Sequence, residues 1–314
     1  MKVSGPKVSV CMPSFNRKEY TIKAIESVLT QSFQDFELVI TDDRSDKDTV
    51  DAIKQYMVKD SRIRFFVNDR QLGVYGNLNM SIMHSRGEYI KPICNDDMLA
   101  PRCLEVFTEV MDKNPNVSLV TSFTKAFDGS ELIRDEKYFE GIRLLDGKWC
   151  QKSLLFDGNW VGALTYAMFR RRDLYVGLFT RWKYWVGDHE MWIKLLGTGD
   201  LYVVPEILSF IRVHDNRESA VHGVEFRLIT ERLMLMNLAF DFPHIYGEYS
   251  REEKRAIRYH LLKRLVREGY SKGGLQSKFK MLKIGFSDLN KRKIVFLLLL
   301  VKNFYRLFRE STAA

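Results

Sequence analysis

The sequence predicts an α/β protein, with a mainly parallel central sheet flanked by helices and a helical, basic C-terminal extension. Three observations carry that expectation. Strand-like and helix-like segments alternate roughly every 25 to 30 residues near the start, which is the rhythm of βαβ units. The run FELVIT at residues 36–41 is almost continuously apolar, as a strand covered on both faces requires. The charge is also divided. Residues 1–250 hold 32 Lys+Arg against 35 Asp+Glu, a net of −3, and residues 251–314 hold 17 against 5, a net of +12, which together give the overall +9.

Taken in order, KVSVCM at residues 7–12 is a first strand ending at Pro13, and Ile22, Ile25, Val28 and Leu29 follow at helical spacing. FELVIT is the second strand. A polar cluster at residues 42–46 precedes a helical stretch over 49–59, and IRFFV at 63–67 is the third strand. A loop with Gly73 opens a helix ending near Gly87, and EYIKPIC at 88–94 is the fourth strand. At 314 residues the expectation is one large domain with an appendage. The composition, 46% hydrophobic and 28% charged, excludes a disordered or low-complexity chain. Cys11, Cys94, Cys103 and Cys150 lack close pairing, which disfavours a disulfide framework or a zinc knuckle and suits a reducing compartment. The polar start over residues 1–7 lacks the pattern of a secretory leader.

The basic tail suits either nucleic acid or an anionic membrane surface. IVFLLLLV at residues 294–301 is far shorter than the roughly 20 residues a spanning helix needs. On a helix, Lys291, Lys302, Arg306 and Arg309 form one stripe, and Ile294, Leu297, Val301, Phe304 and Phe308 cover another face. That is the composition of an element lying in a membrane interface, which is the favoured reading. Packing on the main domain or on a partner subunit is the alternative, and nucleic acid is not expected.

Ligands of open α/β sheets bind at the carboxyl ends of the strands. The first strand delivers Pro13, Ser14, Phe15 and Asn16 there, the second Asp42 and Asp43, and the fourth Asn95, Asp96 and Asp97. Gathered carboxylates repel one another unless a cation or hydroxyl donors intervene, and hard divalent cations bridge carboxylates to phosphates. A metal–diphosphate site satisfies this set. Neither GxxxxGK[ST] nor GxGxxG is present, so diphosphate recognition falls to metal and side chains.

With these residues in place, the chain resembles inverting glycosyltransferases of family 2 with the GT-A fold. The segments that carry the resemblance are VSVCMPSFNR, ELVITDDRSDKDT, LGVYGNLNMSIMHSRGEYIKPICNDDMLAP and YWVGDHEMWIKLLGTGDLYVVPEILSFIRVH. It covers roughly residues 7–220 and implies a transferase domain over 1–220, with a nucleotide-binding half (1–100) and an acceptor half (101–220). Residues 221–314 are then the helical basic region. The resemblance implies a nucleotide pocket from Pro13, Phe15, Asn16, Asp42, Asp43, Asn79 and Asp96, with Phe15 where tyrosine is more usual. Asp96, Asp97 and His214 fall on metal-ligand positions for Mg²⁺ or Mn²⁺. The family often reads Asp-x-Asp-Asp where this chain has Cys94 first, which shifts the metal's reliance onto Asp96 and Asp97.

Asp188 in GDHEMW falls on the general base, with Glu190 as its substitute. Arg212 and Trp185 are assigned to the diphosphate and acceptor sides. The implied partners are a nucleotide-sugar donor, a UDP-sugar first, and a glycan or lipid-linked glycan acceptor in surface-polysaccharide synthesis. The implied place is cytoplasmic, peripheral on the inner face of the cell membrane. A non-catalytic nucleotide-sugar or polysaccharide-binding protein on the same scaffold is the alternative.

Overall fold

Strands β1 (Val8–Ser14) and β2 (Phe36–Asp42) are buried at every position, and they pair in parallel from Val8 opposite Phe36 to Ser14 opposite Asp42. The computed structural model in which they lie describes residues 5–127, 132–136, 143–180, 186–213 and 224–260. Strand β3 (Ile63–Val67) adds in parallel outside β2, and β4 (Tyr89–Pro92) adds in parallel on the other side of β1. Chain order therefore reverses across β1, and the switch point lies between β1 and β4, where α/β sheets bind ligands. Helices α1 (Lys18–Leu29), α2 (Lys47–Lys59) and α3 (Gly73–His84) make the crossovers. On α1 the buried positions Thr21, Ala24, Ile25 and Val28 form one stripe, as the apolar spacing predicts.

Beyond β4 the sheet becomes mixed. The second half contributes β5 (Met98–Leu99), α4 (Cys103–Lys113), β6 (Val117–Phe127), β7 (Leu132–Glu136), β8 (Leu144–Leu145), α5 (Gly147–Asp157), β9 (Ala167–Arg170), α6 (Gly187–Leu196) and β10 (Asp200–Arg212). Strand β9 runs antiparallel to both β4 and β6, and so joins the two halves in one sheet of order β3-β2-β1-β4-β9-β6-β10-β5. Strand β10 is parallel to β6 and antiparallel to β5.

Alternation along β1 feeds two cores. Val10 and Met12 join Ile25, Leu38 and Phe107 on one face, and Cys11 joins Leu78, Phe169 and Trp192 on the other. Trp192 is fully buried, and its indole Nε1 donates to Gly162 O at 2.8 Å, so its polar end is satisfied. Helix α7 (Val224–Asp241) adds Leu235, Met236, Ala239 and Phe240 to this second core, and α8 (Pro243–Tyr246) adds Tyr246. Residues 251–260 are helical. Among the described residues no helix is long and apolar enough to cross a membrane. The amphipathic stretch over 289–309 lies outside them, as do His214 and Trp185.

Candidate active site

The carboxyl edge of the sheet is built by loops that hold one another. After β1 the chain turns through Asn16 and Arg17 at φ 54° and 64°, and after β2 it turns through Arg44 at φ 66°. Non-glycine residues adopt this left-handed region only where the surroundings over-determine it. Here they do. Asn16 N donates to Ser45 Oγ at 2.7 Å, and Asp46 N donates to Asn16 Oδ1 at 2.9 Å. Ser45 in turn gives both its N–H (2.8 Å) and its hydroxyl to the Asp42 carboxylate. Pro13 lies opposite Thr41 in the β1–β2 ladder, and Phe15 stands out from it with 41% of its surface exposed.

Asp43 is committed differently. Its carboxylate accepts Leu72 N (2.8 and 3.0 Å), Gly73 N (2.9 Å) and Asn68 Nδ2 (3.0 Å), so it caps the N-terminus of α3 from the loop after β2. Gly73, at φ +73°, takes the sharp entry to that helix. Asn77 binds Ser14 O at 3.0 Å and accepts from Asn68 at 2.9 Å. Asn79 is elsewhere: its amide gives one bond to Phe179 O (2.8 Å) and accepts one from Phe179 N (3.1 Å). It holds the loop before α6 and does not join the nucleotide edge.

The loop after β4 closes through Asp97 N donating to Cys94 O at 3.1 Å. Cys94 Sγ and a carboxylate oxygen from each of Asp96 and Asp97 lie within 4.8 Å of one another. Arg17 Nη1 donates to Asp96 Oδ2 at 2.7 Å. Asp97 accepts from Thr165 Oγ1 at 2.5 Å and from Arg212 N at 3.1 Å. Burial, followed by the charge of Asp96, pushes the Asp97 carboxyl well above the usual carboxylate range. Two carboxylates in mutual repulsion with a thiol beside them form a donor set that a divalent cation relieves, so these residues fit a metal.

Helix α6 carries Asp188. The backbone N–H of Asp188, in its first turn, donates to Tyr75 Oη at 3.1 Å. Gly187 permits this approach, since a Cβ there would stand 2.4 Å from a Tyr75 ring carbon. The half-buried Asp188 carboxylate accepts His189 N at 2.7 Å, and burial pushes its pKa up to about 7. Burial first, and then the negative charge of Asp188, raises the Tyr75 phenol; burial, then the charges of Asp97 and Asp96 and lastly that of Asp188, raises the Cys94 thiol. Asp188 is thus within electrostatic range of the loop that holds Asp96 and Asp97. Glu190 is turned away: that side chain is buried, and Oε1 accepts Tyr246 Oη at 2.6 Å. Arg212 stays at the edge. Its Nε donates to Asp96 O at 3.0 Å, its guanidinium lies over the Tyr20 ring at 4.3 Å, and Nη2 is buried without an acceptor among the described residues.

Four residues at this edge escape the sequence. Arg17 adjoins the PSFN turn, so its neighbourhood was the one available signal. Tyr75, Lys91 and Thr165 carry none, because they enter from a helix, a buried strand and a short turn. Lys91 is fully buried, donates to Thr165 O and to Pro92 O (3.3 Å), and burial pushes its pKa down. A polar crevice of about 290 Å³ at the opposite ends of β6 and β10, lined by Asn116, Ser118, Asp173 and Asp200, contains none of these residues.

A sheet with its switch point at β1, acidic loops on its carboxyl edge and a second half joined through antiparallel β9 has the architecture of GT-A type glycosyltransferases. The family described as Glycosyl transferase family 2 matches residues 9–177, just over half of the chain, and the chain belongs to it. Among solved structures, S. aureus TarS 1-349 in complex with UDP-GlcNAc superposes with a TM-score of 0.68 at 14% identity, over 87% of this chain and 77% of that one. The mannosyltransferase PcManGT from Pyrobaculum calidifontis, in complex with GDP-Man and Mn²⁺, gives 0.59 at 14% identity, over 95% and 84%. At such identities these likenesses concern the fold. The GalNAc(5)-diNAcBac-PP-undecaprenol beta-1,3-glucosyltransferase of Campylobacter jejuni is 30% identical over 140 residues, 42% of this chain and 45% of its own length. The chain therefore matches under half of that relative.

Proposed function

We propose that this family 2 glycosyltransferase is inverting and moves a sugar from a nucleotide-sugar donor, a UDP-sugar first, to a carbohydrate or lipid-linked oligosaccharide in surface-polysaccharide synthesis. The observation that carries the proposal is Asp188: a carboxylate raised to about 7, fixed at a helix start and acting electrostatically on the loop that holds Asp96 and Asp97. A general base works best with a pKa near the operating pH.

In one displacement the acceptor oxygen bonds to the anomeric carbon while the bond from that carbon to the diphosphate oxygen breaks on the opposite face. The hydroxyl proton passes to the Asp188 carboxylate. Tyr75 and Gly187 fix the height of α6, and so the reach of Asp188. Pro13, Phe15, Asn16 and Asp42 frame the nucleotide, and Asp43 acts from behind by holding α3 in place. Arg212 Nη2 and Arg17 offer donors to phosphate oxygens. Asp96 and Asp97 would hold a divalent cation, Mg²⁺ or Mn²⁺, which when bound would offset the charge developing on the leaving diphosphate.

Support for the donor and acceptor classes comes from the ligands and substrates that the relatives' descriptions print. The net +12 over residues 251–314 supports peripheral attachment to an anionic membrane face, where lipid-linked acceptors reside. A screen of nucleotide sugars, read by thermal stabilisation and by metal-dependent release of the nucleotide, tests the reading. One nucleotide-sugar class should stabilise and turn over. Failure of every donor to bind or turn over with any divalent cation would overturn it.

A further inference from the structure

The loop after β4 contains a thiol that the displacement does not use. We propose that Cys94 is itself a metal ligand, and that its sulfur makes this site select borderline and soft cations (Co²⁺, Zn²⁺, Cd²⁺) over Mg²⁺. The use of the cation rests on the transferase reading, but the ligand set stands on geometry alone.

Cys94 Sγ and one oxygen from each of Asp96 and Asp97 lie within 4.8 Å of one another, close enough for a single ion to touch all three. The turn that closes Asp97 N onto Cys94 O (3.1 Å) folds the two ends of the loop together. One side chain from the acceptor half then fixes both: Cys94 N donates to Thr165 Oγ1 at 3.0 Å, and that hydroxyl donates to Asp97 Oδ2 at 2.5 Å. Asn95, between them, gives its Nδ2 to Thr21 Oγ1 (2.9 Å) and Asn16 O (3.2 Å). Cys11, Cys103 and Cys150 are buried, whereas Cys94 is partly exposed at the edge.

A second, independent observation points to a ligand here. Arg212 is 4% exposed, its Nε is on Asp96 O, and its Nη2 has no acceptor among the described residues. A buried guanidinium N–H is costly to leave unpaired, and an anionic oxygen arriving with the cation satisfies it. Mg²⁺ demands an oxygen octahedron and tolerates sulfur poorly, whereas thiolates favour the later and softer ions. The Cys94 thiol releases its proton to solvent as the metal–sulfur bond forms.

The test uses the metal-free full chain titrated with Co²⁺ alone, then with Cd²⁺ and Mg²⁺. Co²⁺ and Cd²⁺ should produce thiolate-to-metal charge-transfer absorption in the ultraviolet, and Mg²⁺ none. Cys94→Ser should abolish the band and weaken Co²⁺ binding by at least the roughly 10- to 100-fold that loss of a supporting group costs a metal site. Cys94→Asp, an all-oxygen set, should also lose the band while binding Mg²⁺ more tightly relative to Co²⁺, by calorimetry. No band in the wild-type chain, a band that survives Cys94→Ser, or unchanged Mg²⁺ preference in Cys94→Asp overturns the proposal. The donor screen reports separately. Turnover of a nucleotide sugar without any band sinks the sulfur ligand and leaves the transferase reading standing, and a band with no donor bound does the reverse.

Discussion

The two sides of the candidate site are held in opposite ways. On the donor side nearly every polar group is committed inside the protein. Asp42 is taken by Ser45, Asp43 by the start of α3, and Asn16 by Ser45 and Asp46. On the acceptor side, Asp188 keeps one bond to its own helix, and its position is set by the contact of Gly187 and its own N–H with Tyr75. Rigid framing suits a nucleotide, whose shape is fixed. A carboxylate with spare acceptor capacity suits a base, which must take up a proton from something that arrives.

The largest expected effect breaks the acceptor side. Asp188→Asn should lower kcat by about 10²- to 10⁴-fold, the usual worth of a general base, with donor binding unchanged. Turnover within about twofold of wild type would remove Asp188 from the mechanism. The same group should set the pH dependence. Its carboxylate must be ionised to accept a proton, so kcat should climb as pH rises through about 7 and level off above it. Stability moves the other way. A carboxyl with a folded pKa near 7, against about 3.9 when unfolded, is penalised for ionising in the fold, so stability falls between those values as pH rises. Asp188→Asn escapes that penalty and should gain more in Tm at pH 8 than at pH 5; an equal change at both would contradict it.

Gly187→Ala tests how the base is positioned. The added methyl meets Tyr75 and should cost about 1–3 kcal/mol, in the range of overpacked cores, together with a drop in kcat. A stable variant with normal kcat would show that the height of α6 does not matter. On the donor side, Asp43→Ala should cost about 0.5–2 kcal/mol by denaturant midpoint, the worth of a helix cap. It should also raise the KM for the donor more than it lowers kcat. The smallest effect is expected at Phe15→Tyr, where the exposed ring leaves room for a hydroxyl: no change in stability and a change in donor KM of under about threefold, measured by steady-state kinetics.

The donor side was the more legible of the two because its residues come in short runs at strand ends. PSFN, TDD and NDD each follow an apolar segment, and strand polarity places all three at one edge. Legibility stopped at the division of labour within a run. Asp42 and Asp43 are adjacent in sequence, but successive residues point in opposite directions, so one faces the Ser45 turn and the other caps α3. Asn77 and Asn79 part company in the same way, a fraction of a helical turn sending one to Ser14 and the other to Phe179.

By itself the sequence determined the βαβ rhythm, the carboxylates on the carboxyl edge and the concentration of positive charge after residue 250, since each is a property of local pattern and strand direction. Only the tertiary structure decided that β9 enters antiparallel and closes both halves into one sheet. It alone set Thr165 between Cys94 and Asp97, and Tyr75 beneath Asp188. These partners are 71, 68 and 113 positions apart along the chain. At such separations residues meet through packing of the whole core, and no local spacing encodes it.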